Sequence, residues 1–219
     1  VLVQDGPVCD ALSQVVRNAM DGVDYINLVV LGVNSGHGVA RNEGLSACQY
    51  DLVAIADSDD VSRKDRFEKQ LTVFLKYPNV SVVCSDLAEF SHSVDNILAL
   101  KSLPSSDVEL KSLMKWKCPI NQPSVMFKKS SVDFVGGYKD WFNNEDYYLW
   151  IRMAEAGYEF SNISESLVFF RVSPDVYERR GGWRYFQSEF GIQKLMLKKG
   201  IGTLKTFIIG TTARFIIQV

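Results

Sequence analysis

Two acidic clusters in this sequence are spaced to do chemistry. Asp57-Ser58-Asp59-Asp60 places three carboxylates within four residues, directly after the apolar run Leu52-Val53-Ala54-Ile55-Ala56. Such charges repel one another unless a cation sits among them. If the segment is extended, Asp57 and Asp59 face the same way and share that cation. Mg²⁺ or Mn²⁺ suits the arrangement, since each takes one or two protein carboxylates together with substrate phosphates. The structural alternative is a helix start capped by Asp60 or Ser62. The second cluster, Asn143-Asn144-Glu145-Asp146, opens a helical stretch. Its acids either complement the helix dipole or hold a carboxylate ready to accept a proton from a hydroxyl.

Cationic and glycine-rich segments complement these acids. Asn34-Ser35-Gly36-His37-Gly38 with Arg41-Asn42 offers a turn and a cation at a helix start. Backbone N–H groups and an arginine placed so suit a diphosphate. The spacing matches neither a Walker loop nor a dinucleotide fingerprint, and His37 reads as a surface residue. Tyr177-Glu178-Arg179-Arg180-Gly181-Gly182 is a late loop whose two arginines either reach a phosphate or stay solvated.

The elements that must position these groups alternate between strand and helix. Val1–Val3, Ile26–Leu31, Leu52–Ala56 and Val80–Cys84 read as strands. Helical patterns cover about Val8–Met20, Val39–Cys48 and Lys64–Lys76. The unbroken apolar character of Leu52–Ala56 predicts a strand buried on both faces, hence a mostly parallel sheet covered by helices. Ligands then lie at the carboxyl ends of the strands. Gln4-Asp5-Gly6, Gly32–Gly38 and Asp57–Asp60 all fall there. In the second half, Ser124–Phe127 and Leu167–Phe170 read as strands and Glu145–Ala156 as a helix. Two helices follow from about Gly182, broken near Gly200 and Gly202. Ser102–Asp107 reads as a loop within the domain. Val1–Val3 reads as a strand already in progress, so an earlier strand and helix are expected before it.

Composition narrows the classes. The chain has 219 residues, 47% of them apolar and 23% charged. That is a single globular domain able to bury its own core. The formal charge of −2 argues against nucleic acid as a partner. Eight basic residues against Glu189 alone give 179–219 a charge of +7, leaving −9 before it. A basic tail of this kind, interleaved with apolar residues, suits an anionic membrane surface, with packing on the domain as the alternative. No apolar run reaches the roughly 18 residues of a spanning helix, so the protein reads as soluble or peripheral. Cys9, Cys48, Cys84 and Cys118 form no CxxC pair. Reduced, buried thiols in the cytoplasm are the expectation.

Taken together, the Asp5 turn, Gly38-Val39-Ala40-Arg41-Asn42-Glu43-Gly44-Leu45, Asp57-Ser58-Asp59-Asp60, Arg66-Phe67-Glu68-Lys69-Gln70, Pro123-Ser124-Val125-Met126-Phe127 and Glu145-Asp146 resemble a family 2 glycosyltransferase of the GT-A fold. The branch resembled builds bacterial capsule, exopolysaccharide and O-antigen units, of the amylovoran-biosynthesis type. The resemblance implies inverting transfer of a sugar from a nucleotide donor, usually a UDP-sugar, assisted by Mg²⁺ or Mn²⁺. It implies an α/β, Rossmann-like sheet flanked by helices, whose usual opening strand is absent before Val1. Residues 1–180 would form the transferase domain, with a nucleotide-binding half (1–100) and an acceptor half (101–180). Residues 181–219 would be a basic amphipathic helical tail at the inner face of the cell membrane.

By the same resemblance, Asp5 contacts the uracil or ribose, and Arg41, Asn42 and Ser58 lie beside the nucleotide with Arg179 and Arg180. Asp59 is the more direct metal contact, Asp57 binds the ribose or supports the metal site, and Asp146 is the catalytic base within the Glu145-Asp146 pair. The acceptor is a glycan or a polyprenyl-diphosphate-linked sugar. Gln122 stands where similar sequences carry histidine. A sugar nucleotidyltransferase and a catalytically inactive nucleotide- or glycan-binding module are the rival readings.

Overall fold

The computed structural model describes residues 1–173 and 181–219. Strand β1 (Leu2–Asp5) leads through helix α1 (Asp10–Met20) to β2 (Leu28–Leu31), and the two strands pair in parallel. Helix α2 (His37–Ala47) then returns across this βαβ unit. A second sheet contains β3 (Leu52–Ala54), β4 (Val61–Ser62), β5 (Val80–Phe90), β6 (Ile97–Lys101), β7 (Met126–Lys128) and β8 (Glu159–Arg171). Its order is β3-β7-β5-β8-β4, with β6 also paired to β5.

The α/β class holds, but the sheet is mixed rather than mostly parallel. β5 and β8 run parallel over nearly their whole length, from Val80–Glu159 to Phe90–Arg171. The β3–β7, β5–β7, β5–β6 and β4–β8 pairs are antiparallel. Connection length explains part of this. The short link 91–96 between β5 and β6 permits only a hairpin, whereas a parallel partner needs a long crossover. Between β5 and β8 that crossover is supplied by α4 (Asp107–Met114), α5 (Lys129–Phe134) and α6 (Glu145–Glu155). The expected 1–100 and 101–180 halves therefore share one sheet, because β7 and β8 both pair with β5.

Burial also departs from expectation. All eleven residues of β5 are buried, while Leu52 of β3 is exposed and Val53 and Ala54 are half-buried. β5 is flanked by β8 on one side and by β7 and β6 on the other, whereas β3 pairs only with β7 among the described residues. An apolar run thus marks proximity to the core, not a central place in the sheet. The core centres on Trp150 of α6, whose ring centroid lies 6.3 Å from that of Phe127 and 6.5 Å from that of Phe160. The Ser/Asp-rich stretch near 102–107 ends in a helix cap: Ser106 Oγ accepts from Glu109 N and starts α4.

Helices α7 (Gly182–Lys198) and α8 (Leu204–Gln218) close the chain and break near Gly200 and Gly202 as expected. A Thr203–Thr206 capping box starts α8. Its buried residues are Thr206 and Gly210, whereas Leu204, Ile208, Ile209, Phe215, Ile216 and Ile217 are exposed. Among the described residues no helix is long and apolar enough to cross a membrane. The four cysteines are free; Cys84 is buried, which pushes its thiol up to about 12, but Cys9 is exposed.

Candidate active site

The first strand ends in a carboxylate that organises the next loop. Asp5 Oδ1 accepts from Ser35 N at 2.7 Å and Oδ2 from Gly36 N at 2.9 Å. Gly6 makes this possible: its φ is +94°, and a Cβ there would lie 2.7 Å from Asn34 N. The Ser35 and Gly36 amides expected to cradle a diphosphate are therefore taken by Asp5. The turn is built from within the protein.

Helix α2 then crosses to the second half of the chain. Arg41 Nη1 donates to Glu145 Oε1 at 2.7 Å, with the two side chains 17% and 12% exposed. Burial alone would push the guanidinium down, but Tyr138, Glu145, Asp146 and Asp57 around it carry it above its ordinary value. Arg41 thus stands among both acidic clusters. One turn earlier, His37 Nδ1 lies 3.8 Å from the same Glu145 oxygen. Sequence reasoning set His37 aside as a surface residue; its ring is indeed exposed, yet it borders the site. Only its place in the first turn of α2, one helical turn before Arg41, pointed there.

Asn42 is committed to backbone. Its Nδ2 donates to Tyr138 O at 2.7 Å, and its Oδ1 accepts from Tyr138 N at 2.8 Å. Gly137, at φ +63°, allows this clasp, since a Cβ would fall 2.7 Å from Asn42 Oδ1. Tyr138, which the sequence offers only as the end of a Gly136-Gly137-Tyr138 segment allowing close backbone approach, is buried under Arg41, 5.6 Å from ring centroid to guanidinium carbon. Gln122, in the place expected for histidine, donates from Nε2 to Tyr138 Oη at 2.9 Å. Its Oε1 is buried without a partner among the described residues.

Asp57–Asp60 is a turn, not an extended segment: Asp60 N donates to Asp57 O at 3.2 Å. The extended geometry expected to align Asp57 with Asp59 is absent because β3 ends at Ala54. The capping alternative also falls. Asp60 Oδ1 accepts from Arg171 N at 2.8 Å, and Ser62 Oγ accepts from Arg66 Nη1 at 2.9 Å. Asp57 is half-buried, while Ser58 and Asp59 are exposed. Burial raises the Asp57 carboxyl above its ordinary value, with Arg41 pulling it back. Burial likewise raises Asp60 to about 6, and its Oδ2 is buried without a partner among the described residues.

Arg66 lies beneath this turn, fully buried. It donates to Gln70 Oε1, Ser62 Oγ, Ile55 O and Val125 O. Burial lowers it to about 10 against the opposing charges of Asp57 and Asp60. Its partners join β3, α3 (Arg66–Lys76) and the start of β7 behind the acids.

Asp146 sits in the first turn of α6, half-buried, with Oδ1 accepting from Tyr147 N at 2.6 Å. The loop before it contains Asn143 at φ +51°, the single left-handed non-glycine among the described residues. Asparagine tolerates that region better than most residues. Trp141 Nε1 donates to Ser188 O at 3.1 Å and Asn144 Nδ2 to Ser188 Oγ at 3.0 Å, so α7 holds this loop. Arg179 and Arg180 lie outside the described residues.

Among the described residues no three His, Cys, Asp or Glu side chains group into a ready metal cage. The donor set nevertheless fits a divalent ion that completes its shell with substrate phosphates. Asp57 and Asp59 share one short turn with Asp60, whose Oδ2 is buried without a partner among the described residues.

The model of Glycosyl transferase family 2 matches residues 1–135. The chain is 34% identical over 198 residues to the amylovoran biosynthesis glycosyltransferase AmsE of Erwinia amylovora, covering 90% of this chain and 73% of that protein. It is 34% identical over 220 residues to a UDP-Gal:alpha-D-GlcNAc-diphosphoundecaprenol beta-1,3-galactosyltransferase of Escherichia coli, covering 100% and 78%. Among solved structures, S. aureus TarS superposes with a TM-score of 0.63 at 16% identity, over 89% of this chain and 55% of that one. The Pyrobaculum calidifontis mannosyltransferase PcManGT, solved with GDP-Man and Mn²⁺, gives 0.61 at 17%, over 98% and 64%. These two likenesses establish the GT-A fold, and this chain spans less than two thirds of either. The sequence match and the shared fold make this chain a glycosyltransferase belonging to glycosyl transferase family 2.

Proposed function

We propose that this glycosyltransferase moves a sugar from a UDP-sugar, with inversion, to a hydroxyl of a lipid-diphosphate-linked glycan in bacterial surface polysaccharide synthesis. The observation that carries this reading is the place of Arg41, paired with Glu145 and close enough to Asp57 and Asp146 to feel their charge. A site that must hold a nucleoside diphosphate and deprotonate a hydroxyl needs acids in two roles near one another. The named relatives and a UDP complex of TarS support the donor and acceptor classes.

Each residue has a task on this reading. Asp146 takes the proton from the acceptor hydroxyl as its oxygen attacks the anomeric carbon from the face opposite the leaving diphosphate. Glu145, engaged by Arg41, orients the start of α6 rather than accepting that proton. Arg41 adds positive charge where the diphosphate departs, and Asn42 holds the loop behind it. Asp5 and Ser58 border the nucleoside, and Arg179 and Arg180 are assigned to the phosphates. Asp59, with Asp57, would hold Mg²⁺ or Mn²⁺. When bound, that ion stabilises charge on the leaving group.

The C-terminal hairpin suits a membrane surface. α8 turns Thr206 and Gly210 inward and its isoleucines outward, the reverse of a helix that only packs on its own domain. Two of the cations counted in its favour are engaged elsewhere: Arg214 with Glu189, and Lys199 with Glu155. The outward apolar face, with Lys194, Lys198 and Lys205, is what supports peripheral binding.

The direct test is UDP release from a panel of UDP-sugars, with a polyprenyl-diphosphate-linked acceptor, Mn²⁺ and wild-type or Asp146→Asn protein. Acceptor-dependent release by the wild type, lost in the variant, is expected. Nucleotide binding without release under any combination would reject transfer and leave the binding-module reading. Diphosphate release from a nucleoside triphosphate and a sugar phosphate would favour the nucleotidyltransferase.

A further inference from the structure

We propose that the groove between loop 141–142 and the first turns of α7 receives the diphosphate of a lipid-linked acceptor on Arg184, with the lipid running along the aromatic ridge of the α7–α8 hairpin. This rests on the glycosyltransferase reading above and assigns residues to its acceptor side.

The groove has a volume of about 310 Å³ and is lined by Trp141, Phe142, Arg184, Gln187 and Ser188. Its walls are set before any ligand arrives. Ser188 Oγ donates to Phe142 O at 2.5 Å and accepts from Asn144 Nδ2, and Trp141 Nε1 donates to Ser188 O. Loop 141–144 leads straight into Glu145-Asp146. A group held in the groove is therefore held by the segment that carries the proposed base.

Arg184 supplies the recognition. Its guanidinium stacks over the Phe142 ring at 3.9 Å, and it forms no ion pair with any described residue. Stacking fixes the plane of the guanidinium and leaves its edge N–H groups free. That edge matches two phosphate oxygens, which an ammonium cannot do as well. An exposed arginine, oriented by an aromatic ring and without a carboxylate partner among the described residues, suits an anion.

The neighbouring surface indicates what that anion is attached to. Trp183, 56% exposed, packs on Phe186 at 5.4 Å, and Phe186 packs on Phe215 of α8 at 5.5 Å. On the same hairpin, α8 leaves Ile216 and Ile217 exposed beside Phe215. A cation on the same helix as this exposed apolar ridge fits an amphiphile with a diphosphate head better than a free phosphate or a soluble glycan.

Farnesyl diphosphate below its micelle concentration is a suitable probe, with farnesol and inorganic pyrophosphate as its two halves. Each is titrated into the full chain in EDTA with excess UDP, followed by the fluorescence of Trp141 and Trp183. The wild type is expected to bind farnesyl diphosphate more tightly than either half. Arg184→Gln should weaken farnesyl diphosphate about tenfold and leave farnesol and UDP unchanged, while Arg184→Lys retains part of the affinity. Equal binding of farnesyl diphosphate by wild type and Arg184→Gln would overturn the proposal, as would pyrophosphate competing as well as the farnesyl compound. UDP affinity is read separately with Mn²⁺ present: its absence there would count against the glycosyltransferase donor site, whereas the Arg184 difference reads the groove alone. Arg184 is exposed, so an unchanged melting temperature will confirm that the variant folds.

Discussion

Arg41 and Glu145, 104 positions apart, form a largely buried ion pair at 2.7 Å that fastens helix α2 to the first turn of α6. It ties the loop organised by Asp5 to the helix that carries Asp146. Removing one partner leaves the other charge buried and uncompensated. Arg41→Gln and Glu145→Gln should each cost roughly 2–4 kcal/mol in urea unfolding. The Arg41→Gln/Glu145→Gln double variant should cost less than the sum of the singles. Strict additivity would mean that the pair contributes nothing as a pair.

Asp146→Asn should reduce turnover by about 100-fold or more, the usual contribution of a positioned base. UDP affinity by calorimetry should stay within about twofold, since the proposed role of Asp146 is toward the acceptor hydroxyl. If Glu145→Gln lowered turnover further than Asp146→Asn at equal stability, the two carboxylates would exchange roles.

Chelation should abolish transfer, and Mn²⁺ or Mg²⁺ should restore it. In Asp59→Asn the cation concentration for half-maximal rate should rise by at least an order of magnitude. Full activity in EDTA would remove the metal from the mechanism and leave Arg41 and other cations to stabilise the leaving group.

Arg66 is the test of what lies behind the acidic turn. Its guanidinium bonds four neutral acceptors from buried positions, and a lysine cannot reach them all. Arg66→Lys should destabilise by about 2–3 kcal/mol in chemical denaturation, and Arg66→Ala by more. A neutral outcome for Arg66→Lys would show that the fork geometry is dispensable.

Ile208→Glu with Ile216→Glu should leave the melting temperature within a few degrees, because both side chains are exposed. The same pair should strongly reduce flotation with vesicles containing anionic phospholipid. Unchanged flotation would move membrane contact away from α8.

Much of this protein was legible in its linear order. The alternation of strand and helix, the position of the acids after strands, and the break between α7 and α8 all follow from local patterns of apolar residues and glycines. Those patterns are short-range, because side-chain period and turn chemistry are properties of neighbouring residues. The resemblance to family 2 glycosyltransferases also rests on an ordered set of such local motifs.

Tertiary structure alone decided who partners whom. A sequence shows Glu145-Asp146 as two similar acids; only the fold brings Arg41 to Glu145 and so gives the two different surroundings. It shows Asn34–Gly36 as free amides; only the fold sends Asp5 to occupy two of them. The apolar run Leu52–Ala56 looked central, yet β5 took that place because strand order is set by pairings between distant segments. Electrostatic and hydrogen-bonding energies depend on distances across the fold, which one-dimensional spacing does not encode.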